Sequence, residues 1–191
     1  MATPHPNPTH ANLDAVIDTV IDTEGDYVND PSDAGGETRY GITIDVARHY
    51  GYSGPMRELP RSLAHRIYAD RYIRTPKFDS VFGIDPAIGF ELIDTGINMG
   101  PARAAEFLQR WLNGLNSAGR YQDLFVDARV GPRTLAALVA YLEWRGNDGR
   151  RVLLRGLNAG QAARYLAITE ARRTQRRYLF GWMLNRVVME P

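Results

Sequence analysis

Four carboxylates crowd the first half of the segment "EGDYVNDPSDAGGETRYGIT": Glu24 comes first, and Asp26, Asp30 and Asp33 follow within nine positions. Two carboxyl groups in unlike surroundings are what glycosidic bond cleavage needs. One is held protonated and gives its proton to the leaving oxygen; the other stays ionised and activates water or stabilises the oxocarbenium-like transition state. Glu24 fits the first role. At about 100° per residue, Leu13, Ile17, Val20 and Glu24 fall within a narrow arc, so the spacing predicts a glutamate projecting from an apolar stripe. There the charged form is disfavoured and the pKa rises, as a general acid requires near neutral pH. A glutamate in the last turn also opposes the helix dipole, by about 0.3 to 1 kcal/mol. The alternative for Glu24 is a helix end with the carboxylate turned to solvent.

The elements that must position these groups read mostly as helices. Asn12 is a good N-cap, the apolar period runs from Leu13 to Ile21, and Gly25 takes the position glycine favours just past a helix, while Asp14, Asp18 and Asp22 line the opposite side. Tyr27 to Gly41 reads as loops or a small, irregular β-hairpin. Thr43 can cap a helix through about Tyr50, and Pro60 with Ser62 opens another to about Arg74. Asp85 and Pro86 supply cap and first turn for a helix through Ile93, broken at "NMGP". A second begins at Pro101, with Ala105, Leu108, Leu112 and Leu115 in one stripe, making a helical hairpin. After a polar stretch at 116 to 123 a helix restarts at Pro132, and a last long one is expected from Ala159 to Tyr178. The fold class predicted is mostly α, a helical bundle with one small irregular β-hairpin beside the first helix.

The quoted segment resembles the Glu-Gly-Gly-Tyr stretch that opens the glycoside hydrolase family 108 lysozymes, N-acetylmuramidases common among bacteriophage endolysins. "ELIDTGINMGPARAAEFLQRWLN" is similar to that family's central helical hairpin. "DARVGPRTLAAL" and "FGWMLNRV" resemble its C-terminal peptidoglycan-binding subdomain, so the likeness runs through nearly the whole chain from about Asn12. The resemblance implies a lysozyme-like α+β fold and a muramidase cutting the β-1,4 bond between N-acetylmuramic acid and N-acetylglucosamine, with Glu24 as the general acid. It implies a catalytic region over 12–121 and a helical peptidoglycan-binding lobe over 122–191, within two domains or one compact one, after a flexible N-terminus at 1–11. It requires no cofactor and no metal. More distant phage-type lysozymes have Asp nine positions after the glutamate and Thr six after that; here Asp33 fits the first interval and Thr38 falls five on. The resemblance thus implies Asp33 as second carboxylate, with Asp30 in reserve, and Thr38 as a hydroxyl that positions water. Asp26 replaces the second glycine of the family segment and adds a carboxylate beside Glu24.

Other candidates carry two readings each. Tyr27 and Tyr40 could stack on sugar rings or pack at turns with one wet end, and Asn98 could bond an N-acetyl group or simply end a helix. Trp111, Trp144 and Trp182 lie on helix stripes and read as core. Arg172, Arg173, Arg176 and Arg177 could meet an anionic wall polymer or pair with acids elsewhere.

Among 191 residues, 44% are hydrophobic and 24% charged, the composition of a globular chain that folds alone, and no cysteine offers a disulfide or thiolate site. No run of about 18 apolar residues favours stable membrane insertion. "MATPHPNPTHAN" has no basic start followed by an apolar run, so the expectation is synthesis in the cytoplasm without a signal peptide. Action on cell-wall peptidoglycan after release through a holin lesion, as a monomer, is what the family implies. Residues 1 to 50 hold nine acidic and two basic groups, whereas 150 to 191 hold nine arginines against two glutamates. The basic end would suit an anionic polymer, but the acidic first third repels phosphate, so no nucleic-acid partner is expected. A lytic transglycosylase, which can work with one glutamate, and a non-catalytic peptidoglycan-binding or secretion-associated protein are the competing functions.

Overall fold

The computed structural model describes residues 13–29 and 36–187. The expected flexible stretch at 1–11, the Asn12 cap and both candidate second carboxylates, Asp30 and Asp33, lie outside the described residues.

Helix α1 spans Leu13–Glu24 and buries Val16, Ile17 and Ile21. Its partner is α3, Arg61–Ala69. The acidic side of α1 does not simply face water: Arg61 reaches Asp18 at 3.0 Å and Asp22 at 2.6 Å, and His65 lies 3.6 Å from Asp14. Gly25, at φ +83°, ends the helix in the left-handed conformation. The hairpin follows, β1 being Thr38–Arg39 and β2 Ile42–Thr43, paired antiparallel with Arg39 opposite Ile42. Its two-residue loop, Tyr40 and Gly41, has φ of +54° and +70°, as a type I′ turn demands. Val28 bridges back to Thr38 through two 2.9 Å backbone hydrogen bonds, tying the chain after α1 to β1.

Thr43 then caps α2, Ile44–His49, by accepting from the Val46 amide. Helix α3 runs straight into a π turn at Asp70–Arg74. Helix α4, Phe78–Ile84, was not foreseen from sequence: it starts after Lys77 in the left-handed region and is held by Phe78 and Val81, both fully buried. Helix α5, Pro86–Met99, is capped as expected by Asp85, whose carboxylate accepts from the Ala87 and Ile88 amides at 3.0 Å. It is buried nearly all round and packs on α4, on α6 (Pro101–Leu115) and on α7 (Pro132–Ala171).

The polar linker between α6 and α7 is fastened by side chains of α6. Gln109 donates to Asp127 and to the Arg129 carbonyl and accepts from the Ala128 amide, while Asn113 donates to and accepts from Leu124 at 2.8 Å. Buried backbone without a ladder is thereby satisfied. The expectation for the last helix needs correcting. Helix α7 is broken only at Gly146, its second half ends at Ala171, and a separate helix α8 spans Arg176–Arg186. Gly156 sits under the Trp111 ring, where a Cβ would come within 2.6 Å of the indole. Trp111, Trp144 and Trp182 are all only half-buried: Trp144 is covered by Arg145 at 3.7 Å, and Trp182 stacks on tyrosines. The fold is thus mostly α with one small antiparallel hairpin, and the buried apolar residues from Val16 to Leu157 form one continuous cluster. Among the described residues no helix is long and apolar enough to cross a membrane.

Candidate active site

Glu24 is the last residue of α1, and its side chain is exposed rather than set in an apolar pocket. Position 24 is in line with Ile17 and Val20, but the helix stops there and the carboxylate stays open to solvent. What surrounds the carboxylate comes from two other elements. A Cβ built on Gly41 would lie 2.8 Å from Glu24 Oε2 and 2.7 Å from the Tyr68 hydroxyl oxygen, so the type I′ turn brings its bare glycine against both groups. Any side chain at 41 would displace one or the other, quite apart from the positive φ.

Tyr68, on α3, donates its hydroxyl to the Tyr40 carbonyl at 2.9 Å and so pins the turn to the helix that packs against α1. Its ring is stacked on Tyr72 at 5.6 Å, and Tyr72 belongs to the π turn, a distortion often found at functional sites. Burial, and then the nearby Glu24 charge, hold the Tyr68 phenol well above its ordinary pKa. Near neutral pH it is therefore a fixed hydrogen-bond donor. Glu24 forms no ion pair among the described residues.

Asp26 does not sit beside Glu24 as an extra uncompensated charge. It lies 3.3 Å from Arg39 Nε, close enough for an ion pair though not aligned for a hydrogen bond, accepts from the Tyr27 amide at 3.0 Å and is largely exposed. Nor does the turn after Glu24 need a positive φ at Asp26, because Gly25 takes it. Arg39 also donates to the Arg57 carbonyl and stands 4.9 Å over the Tyr40 ring, and Arg57 covers Tyr27 at 4.8 Å. One face of each candidate stacking tyrosine is therefore occupied by a guanidinium. Thr38 lies in β1, half-buried, its backbone committed to Val28.

Asn98 stands elsewhere. It donates to the Asp94 carbonyl at 2.7 Å and lines a hollow with residues of α6, α7 and α8, none of them neighbours of Glu24. A different hollow, of about 370 Å³, opens between α2 and the π turn and is lined by Asp45, His49, Tyr50 and Arg71. The structure thus joins Glu24 with Tyr40, Gly41 and Tyr68. Gly41 was within the quoted segment without being singled out, and Tyr68, twenty-seven positions further on, gives no local signal.

Residues 17–100 match the family profile of glycosyl hydrolase 108, and residues 103–187 match one described as a predicted peptidoglycan domain. Among solved structures, Brucella abortus SagA is similar over 90% of this chain and 94% of its own, with a TM-score of 0.55 at 22% identity, a likeness of fold. No curated protein matches the chain.

Proposed function

The chain is a glycosyl hydrolase 108 region followed by a peptidoglycan domain, and so a glycoside hydrolase acting on peptidoglycan; from that premise we propose that it is a muramidase with Glu24 as the general acid. The bond cut is the β-1,4 link between N-acetylmuramic acid and N-acetylglucosamine. Glu24 donates its proton to the glycosidic oxygen as the bond from C1 to that oxygen breaks. A water oxygen adds at C1 and its proton passes to a second carboxylate, Asp33, with Asp30 in reserve, while Thr38 orients the water. Tyr27 and Tyr40, both half-buried, offer the exposed parts of their rings to the sugars.

The observation that carries this reading is the convergence of the exposed Glu24 carboxylate, the side-chain-free Gly41 and the Tyr68 donor. A substrate oxygen can reach the acid from solvent, and the hydroxyl stays fixed on the turn throughout. Action on the wall as a monomer, after release by a holin-type partner as in phage lysis, belongs to the same reading.

Digestion of purified peptidoglycan by wild type and Glu24→Gln, with mass spectrometry of the products, tests it. Reducing N-acetylmuramic acid ends from wild type and none from the variant are expected. Anhydro ends would make the protein a lytic transglycosylase, and an active Glu24→Gln would remove Glu24 from the reaction.

A further inference from the structure

The hollow that Asn98 lines measures about 290 Å³ and is walled by Arg103 of α6, Arg164 and Tyr165 of α7 and Trp182 of α8. That volume is at the small end of ligand pockets, suited to a short segment rather than a glycan chain. Its guanidiniums are not equivalent. Arg103 is held by Glu106, and Arg186 behind the wall by Asp94 at 2.8 Å. Arg164 is exposed and forms no ion pair among the described residues. The rings are engaged with one another, Trp182 stacking on Tyr165 at 4.9 Å and on Tyr178 at 5.8 Å. Aromatic faces already stacked are poor platforms for a sugar. The groups left to meet a ligand are the exposed Arg164 guanidinium and the Asn98 amide oxygen, since the Asn98 amide nitrogen is spent on Asp94. The Tyr165 hydroxyl is buried and has no hydrogen-bond partner among the described residues, an unspent polar group in the wall.

We propose that this hollow binds a carboxylate-bearing segment of the peptidoglycan stem peptide, Arg164 meeting the carboxylate and Asn98 accepting a peptide N–H. The assignment rests on the reading that peptidoglycan is the substrate. An acidic peptide matches both the Arg164 guanidinium, which forms no ion pair among the described residues, and the amide oxygen, whereas a sugar hydroxyl needs no charge; the stretch from 150 to 191 that supplies Arg164 holds nine arginines and two glutamates. The site would hold the wall through its peptides while Glu24 meets the glycan.

Calorimetry with full-length protein and two soluble probes tests it: an N-acetylated Ala-γ-Glu-Lys peptide with free carboxylates, and the same peptide fully amidated. The free acid should bind wild type at least about tenfold more tightly than the amide, Arg164→Glu should abolish that preference and Arg164→Lys should keep most of it. Equal binding of the two probes, no binding of either, an unaltered preference in Arg164→Glu, or tighter binding of a poly(glycerol phosphate) probe would overturn the assignment. Wild-type digestion of peptidoglycan is measured alongside. Muropeptide release with no acid preference removes only the peptide site, whereas no release and no binding to intact wall removes the underlying reading as well.

Discussion

Two glutamates of this protein have opposite surroundings. Glu24 ends a helix and lies open to solvent beside a glycine turn. Glu91 is in the middle of α5, 8% exposed, accepting a hydrogen bond from Thr95 at 3.2 Å. Burial, and then the neighbouring Asp94, push the Glu91 carboxyl up to about 8, against the opposing hydrogen bonds of Asn158 and Thr95. The burial that sequence suggested for the acid thus exists in the molecule, but around the other glutamate and among polar side chains. The difference teaches that a place on an apolar stripe buries a side chain only where another element covers that stripe. Around Glu91 the cover is α7, and α8 reaches the same seam: Gln161 donates to Thr95 and Asp94, and Arg186 is ion-paired to Asp94. These contacts join the region matching the hydrolase to the region matching the peptidoglycan domain. One glutamate is open to solvent, where the proposed reaction needs it; the other lies in the seam between the two regions.

The same Glu-to-Gln change at the two positions should separate them. Glu24→Gln is expected to lower the rate of peptidoglycan cleavage by about 10² to 10⁴ with the melting temperature unchanged, because an exposed carboxylate that forms no ion pair among the described residues supports little structure. A large drop in melting temperature would make Glu24 a structural residue after all. Gly41→Ala should cost roughly 10²-fold in the same assay, since the new methyl must displace either the carboxylate or the Tyr68 hydroxyl and the positive φ is strained. Full activity in that variant would show that the convergence around Glu24 is incidental.

Glu91→Gln should act on stability and its pH dependence. The folded carboxyl titrates near 8 instead of 4.5, so the folded chain keeps a proton that the unfolded chain releases. Stability is then full below about 4.5 and declines as pH rises towards about 8. Glutamine does not titrate, so the melting curves of wild type and variant should diverge as pH rises, the variant being the more stable at pH 8. Asp94, Arg186 and Tyr165 share the seam in both proteins and contribute the same background. Parallel curves across pH would show that Glu91 keeps its charge when buried. The smallest effect belongs to Tyr68→Phe, which removes the bond to the Tyr40 carbonyl: about 1 kcal/mol of stability, and a loss of cleavage of up to about tenfold. No change in either would leave the hairpin pairing and Gly41 to keep the turn in place without Tyr68.

Much of the fold could be read from local signals because those signals act locally. The Asp85 cap, the Thr43 cap and the Gly25 stop each depend on one side chain or on one residue's freedom of φ, and each stands where expected. The apolar stripe of α6 likewise buries Ala105, Leu108 and Leu112. Helix α4 escaped notice because its seven residues are too few to show a period and are stabilised by burying Phe78 and Val81. The last helices were misjudged because the break at Gly146 and the stop at Ala171 are not marked by proline.

The sequence alone determined the residue types that can do the chemistry, the helical class and the order of a hydrolase-like part before a wall-binding one. The first two follow from side-chain chemistry and periodicity and the third from the resemblance of the motifs to a known family, none of which needs knowledge of what lies across the fold. Only the tertiary structure decided that Glu24 is open while Glu91 is buried, that Tyr68 comes back to Gly41, and that Arg186 meets a carboxylate while Arg164 meets none among the described residues. Each is a matter of which distant segment covers a group, and the free energy of a charge depends on that cover more than on its neighbours along the chain.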